Sequence, residues 1–223
     1  MSNSTVTNVS SSTVTINDQI VKKWEDARTN AAAIKTIANA SGNKFQFSFA
    51  STTDSIHVYL GVDANEILSV TVIPTNDDTI INTQCLGIHS ISGSKETLSS
   101  FVPGTGNENA ISWGVANTRI NNWIDSVKRD AYIDASTASS SAPLVLAFYV
   151  DKMDFDFGDT HFGYLGLIET TIDGVTTYAA DLTIYSEAEE AKYLEDLTVL
   201  VPPFKGGRVS DQANFGLYNR INP

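Results

Sequence analysis

Cysteine is almost missing: Cys85 stands alone in 223 residues, so no internal disulfide can form. That usage fits a reducing compartment. Charge is sparse too, at 18% Asp, Glu, Lys and Arg, where about a quarter is usual. The charge present is lopsided, 26 acidic against 14 basic side chains for a net −12. A surface of that sign repels phosphate backbones and anionic bilayers. Neither nucleic acid nor membrane is therefore an expected partner. No apolar run approaches the ~20 residues that cross a bilayer. Met1 to Asn17 offers no basic start and no apolar run of a secretory leader. The expected location is cytoplasmic.

Catalytic signatures are missing as well. There is no Gly-x-Ser-x-Gly elbow. Gly104-Thr105-Gly106 is too short for a phosphate loop. Gly206-Gly207-Arg208 reads as a linker beside two prolines, and Cys85 lies in a strand-like run. His57, His89 and His161 have no metal-ligand spacing. An enzyme is not the expected class.

What is present is polar and periodic. Hydrophobic residues make up 42%, enough for a core. Ile20, Trp24, Ala27, Ala31, Ile34 and Ala38 recur at steps of three and four, predicting one helix that stops near Gly42. Strands are expected over 44–50, where Phe45, Phe47 and Phe49 alternate with polar residues, and over 55–62 and 67–73. A weaker strand falls within 79–92. The order then repeats. Trp113, Ala116, Ile120, Trp123 and Val127 mark a helix over 108–135. Strands follow over 143–151, 160–172, 175–185 and 197–201, with Asp173-Gly174 as a hairpin turn. Glu187, Glu189, Glu190, Glu195 and Asp196 read as the solvated face of a short helix.

The two halves also share residues. Trp24-Glu25-Asp26 matches Trp123-Ile124-Asp125, and the segment from Asp54 to Gly61 matches that from Asp159 to Gly166. Tyr59 thereby aligns with Tyr164. The expected fold class is α+β: two diverged copies of a helix-then-antiparallel-sheet unit related by a pseudo-twofold. Its divisions are an extended arm over 1–16, repeats over 17–100 and 101–204, and an irregular tail over 205–223.

Three candidate sites follow. Eleven of the first 15 residues are Ser, Thr or Asn. With Val6, Val9, Val14 and Ile16 spaced through the arm, it suits an added strand that a neighbouring chain could accept. His57, Tyr59, His161 and Tyr164 would line a ligand site where the copies meet. Asp154, Asp156 and Asp159, near Gly158, could offer oxygens to calcium, though the loop lacks the EF-hand pattern. No other cofactor is indicated. The leading functional expectation is a structural, self-assembling subunit of a homo-oligomer or larger particle. The alternative is a non-catalytic binding module for a small molecule or protein.

Overall fold

The computed structural model describes residues 16–48, 55–79, 87–91, 93–98, 111–139, 143–151, 160–186, 194–195, 198–201 and 215–222. The single helix expected first is two: α1 Ile16–Ala27 and α2 Ala31–Ala40. Asn30 separates them. It is extended, at φ −116° and ψ 98°, and its side chain accepts the Ala33 N–H as an N-cap. The second helix divides in the same way into α3 Trp113–Ile124 and α4 Ser126–Ala138. Here Asp125 makes the break, and its side chain accepts from the N–H groups of Val127 and Lys128. Short polar side chains compete with helical hydrogen bonds, and the 3.6-residue apolar rhythm hides them. Ile16, read as the end of the arm, is the first residue of α1. Val6, Val9 and Val14 lie outside the described residues.

The strands are β1 Lys44–Ser48, β2 Ile56–Val62, β3 Leu68–Pro74, β4 Gly87–Ser90, β5 Ala147–Val150, β6 Thr160–Ile172, β7 Val175–Ser186, β8 Leu194–Glu195 and β9 Thr198–Val201. A last helix, α5 Gly216–Ile221, lies in the tail read as irregular. Glu195 belongs to β8, not to the acidic helix expected there. The fold is α+β, and every strand pairing among the described residues is antiparallel.

Two sheets form, in the orders β1-β6-β7-β8 and β4-β3-β2-β5-β9. Each draws on both halves of the chain. The strand following α2 pairs with β6, Lys44 opposite Tyr164. The strand following α4 pairs with β2, Ala147 opposite Tyr59. The exchange is reciprocal, so the halves interlock.

Each sheet turns one face to a shared core. Val58, Leu60 and Val62 of β2 join Leu165 and Leu167 of β6 in one buried cluster with Val21 and Trp24 of α1. The other faces carry helices. Gly61 lies under α1, where a Cβ would fall 2.3 Å from the Ile20 side chain. Gly166 lies under α3, where a Cβ would fall 3.3 Å from Arg119 backbone. The remaining helix of each half, α2 or α4, packs on β3 or β7 and against the other. Helices of ten to thirteen residues are marginal alone. Burial of side chains such as Ile34 and Ile133, both 1% exposed, is worth roughly 1.5–3 kcal/mol each and holds them. Trp24 and Trp123 both line a small apolar cavity with Leu60, Leu68 and Leu144. Trp24 Nε1 donates to the Val145 carbonyl at 2.9 Å. No helix among the described residues is long and apolar enough to cross a membrane.

Candidate functional site

Alternation on β2 puts His57 and Tyr59 on one face, and the turn after β3 brings Asp78 beneath them. Asp78 and His57 are fully or almost fully buried, their side chains 0% and 1% exposed. The carboxylate gathers three partners. Its Oδ2 lies 2.7 Å from His57 Nδ1 and accepts the Tyr59 hydroxyl at 2.6 Å. Its Oδ1 accepts the Leu217 N–H at 2.7 Å. With the carboxylate as acceptor, the His57 hydrogen sits on Nδ1. Burial and the Asp78 charge both push the Tyr59 phenol well above its ordinary range. It is held as a neutral donor, which suits a structural hydrogen bond and not proton transfer near neutral pH.

α5 closes this cluster from above. The Phe215 ring stacks on His57 at 3.9 Å and meets Tyr59 edge-on at 6.1 Å. Gly216 lies against the backbone of Asp78 and Thr79, where a Cβ would come within 2.3 Å of Thr79. Arg220 reaches α1 and donates from Nε to Asp18 at 2.8 Å. Both side chains of that pair are largely buried. Asp18, in the first turn of α1, is thus the anchor for the tail. Beside the cluster, Tyr149 shares a 2.9 Å hydrogen bond with Ser55.

The other two residues of the expected ligand site are elsewhere. His161 and Tyr164 are on β6 in the other sheet. His161 is buried and stacks on Phe47 at 5.4 Å. Tyr164 packs with Ala116, Ile120 and Tyr185 in a second, smaller cluster. Lys44 Nζ lies over the Phe162 and Tyr164 rings and 3.1 Å from Glu96. Burial raises the Tyr164 phenol and the lysine only partly offsets it. Burial pulls Lys44 down, but its bonds to Glu96 and Tyr164 outweigh this and leave it raised. The structure therefore brings His57 to Tyr59, and gives His161 and Tyr164 surroundings of their own.

Asp154, Asp156 and Asp159 lie outside the described residues, as does Cys85. Among the described residues no group of three or more His, Cys, Asp or Glu side chains is placed to hold a metal ion. Sequence reasoning missed Asp78, Asp18, Phe215 and Arg220. The available signal was the i, i+2 pairing of His57 with Tyr59, two polar-tipped rings on one strand face that need a buried partner. No family model, curated protein or solved structure matches this chain.

Proposed function

We propose that this chain is a structural subunit that assembles with copies of itself, built from two diverged copies of a helix-then-antiparallel-sheet unit. The observation that carries the assembly reading is the hairpin of β6 and β7. Its strands pair without a bulge from His161↔Ser186 to Ile172↔Val175. Yet β1 pairs with β6 only over 160–164, and β8 pairs with β7 only at Ile184 and Tyr185. Among the described residues no strand pairs with the rest of the hairpin's edges; on β6 the Leu165 N–H still donates to the Asn43 carbonyl and the Leu167 carbonyl accepts from Asn122 Nδ2, and beyond them the edge is open. Glu169 to Thr177 are exposed on both faces. The tip carries Ile172 at 66% exposure opposite Val175 at 64%.

Two strands alone are marginal in water. Open edges are normally blunted by lysine, proline or a bulge, and the segment from Glu169 to Thr183 has no lysine, arginine or proline. It carries three carboxylates, Glu169, Asp173 and Asp181. Glu169 is paired with Lys128 at 2.6 Å and Asp181 with Arg119 at 3.4 Å, which leaves Asp173 as the charge at the tip. An edge added to an edge is self-complementary about a twofold.

Matched placements favour the duplication. Tyr59 faces Thr71, and Tyr164 faces Thr183. Both threonine hydroxyls are buried with no hydrogen-bond partner among the described residues. Gly61 and Gly166 each lie under the helix residue four before a tryptophan, Ile20 before Trp24 and Arg119 before Trp123. The N-terminal arm with Val6, Val9 and Val14 is the strand offered to an open edge. A cytoplasmic setting without nucleic acid or membrane belongs to the same reading, from the lone cysteine and the acidic surface. The second reading, a binding module, has its motive in the Asp78 cluster, where Phe215 fills the place a ligand ring would take.

The test is a truncation starting at Asn17. The shortened chain should keep its fold by circular dichroism and lose assembly by size exclusion with light scattering. Unchanged assembly would remove the arm from the account.

A further inference from the structure

We infer that the surface formed by β2, Asp78 and the start of α1 is a peptide-docking socket, and that it accepts the segment Phe215-Gly216-Leu217-Tyr218-Asn219-Arg220-Ile221 from a second copy of this chain as well as from its own. This deepens the self-assembly reading by naming one docking surface, and rests on that reading only for the source of the peptide.

The segment has the properties of a ligand. Its helix spans six residues, far below the ~12–15 at which isolated helices become even marginal, so its order comes from the socket. Recognition is specific at four points. Phe215 supplies a ring to His57 and Tyr59. Gly216 permits backbone approach to Asp78 and Thr79 that no side chain allows. The Leu217 N–H is taken by Asp78 Oδ1, and Arg220 is taken by Asp18. Leu217 and Ile221 bury their side chains, at 0% and 9% exposure. An aromatic, a glycine, an aliphatic pair and an arginine at fixed spacing thus meet rings, a carboxylate, an apolar floor and a second carboxylate.

The socket is laid down by residues 18–79, whereas the segment lies at the far end of the chain. Positions 202–214 separate α5 from β9. Their contour of roughly 45 Å is long enough to seat α5 on its own chain or on a neighbour. Acidic copies repel one another, and Arg220 is the one basic side chain of α5, placed in the last turn. An arginine entering a site that contains Asp18 and Asp78 is the charge-matched contact such copies can make.

The experiment uses the full chain with a recognition site for a sequence-specific protease inserted between Gly206 and Gly207. The folded protein is cut and passed over a sizing column, then mixed with a fluorescent synthetic peptide of residues 209–223. The expected result is co-elution of the released tail with the body. The labelled peptide should then exchange into the socket, raising its anisotropy, and unlabelled peptide should displace it. Peptides carrying Phe215→Ala or Arg220→Glu should compete at least tenfold more weakly. The readout is docking, not particle mass, so it stands or falls apart from the assembly state. The inference is overturned if the cut body unfolds by circular dichroism, since the tail is then part of the cooperative core. It is equally overturned if labelled peptide at 100-fold excess fails to enter, or if the substituted peptides compete as well as the native one.

Discussion

Gly61 and Gly166 each lie beneath the first helix of their half, Gly61 without room for a Cβ and Gly166 with only a tight fit. A Cβ at Gly61 would lie 2.3 Å from Ile20 Cγ2 and 3.2 Å from the Ile20 backbone, and one at Gly166 would lie 3.3 Å from the Arg119 backbone. Gly61→Ala should cost about 1–3 kcal/mol, because α1 must ride outward to relieve the overlap. Gly166→Ala should cost less, since 3.3 Å is only tight. Gly114, inside α3, has nothing within 4 Å of a Cβ. Gly114→Ala should therefore stabilise by about 0.4–1 kcal/mol. Urea denaturation of the three variants gives the order.

Asp78 holds the cluster together. Asp78→Ala would leave the His57 Nδ1–H, the Tyr59 hydroxyl and the Leu217 N–H buried without their acceptor. At about 1–3 kcal/mol for each orphaned group, the loss should reach about 3 kcal/mol or more. Tyr59→Phe removes one donor and should cost about 1 kcal/mol. Hydrogen exchange should show α5 amides losing protection in Asp78→Ala before those of β2 and β3. If α5 keeps full protection, Asp78 is not its anchor.

Tyr132 predicts an alkaline transition. Burial pushes its phenol up to about 12, from the usual value near 10. The folded value exceeds the unfolded one, so its contribution is complete below pH 10 and is lost as pH rises toward about 12. The lost part is roughly 2–3 kcal/mol at about 1.4 kcal/mol per pH unit. Tyr132→Phe should flatten the fall in stability over that window. Near neutral pH it should cost a little, because the Val145 N–H loses the Tyr132 oxygen as acceptor.

On the acid side His89 acts in the other direction. Partial burial lowers its value, so the folded state binds the proton less readily than the unfolded one. Stability is present above the ordinary histidine value near 6.5 and lost as pH falls through the folded value. His89→Gln should remove that part of the acid dependence, measured as the difference in urea midpoints at pH 7 and pH 5.

The hairpin tip separates assembly from folding. Ile172 and Val175 are 66% and 64% exposed, so Ile172→Lys with Val175→Lys should change stability by under about 0.5 kcal/mol. The same pair puts positive charge on an open edge and should reduce native mass toward one chain. A double variant that assembles fully would show that the hairpin is not the contact.

Periodicity made the strands legible: the alternating Phe45 and Phe47, the uninterrupted β2 and β3, and the Asp173-Gly174 turn all lie where the pattern put them, within a few residues. Helix breaks at Asn30 and Asp125 were not legible, because a cap changes one residue without disturbing the apolar rhythm around it. The reciprocal exchange of β1 and β5 was beyond a single sequence, since register between distant strands is set by packing. The site fared likewise. His57 and Tyr59 share a face by alternation, but Asp78 reaches them through a turn and Phe215 from the far end of the chain. α5 is too short for a helical period to emerge, and its order depends on a socket that local pattern cannot represent.

Native mass in solution bears most directly on the proposal that this chain assembles with itself. Light scattering behind size exclusion, across a hundredfold range of concentration, should give a mass of at least two 24.1 kDa chains. A mass of 24.1 kDa at every concentration would contradict it, and would leave the open hairpin edges without the partner assigned to them.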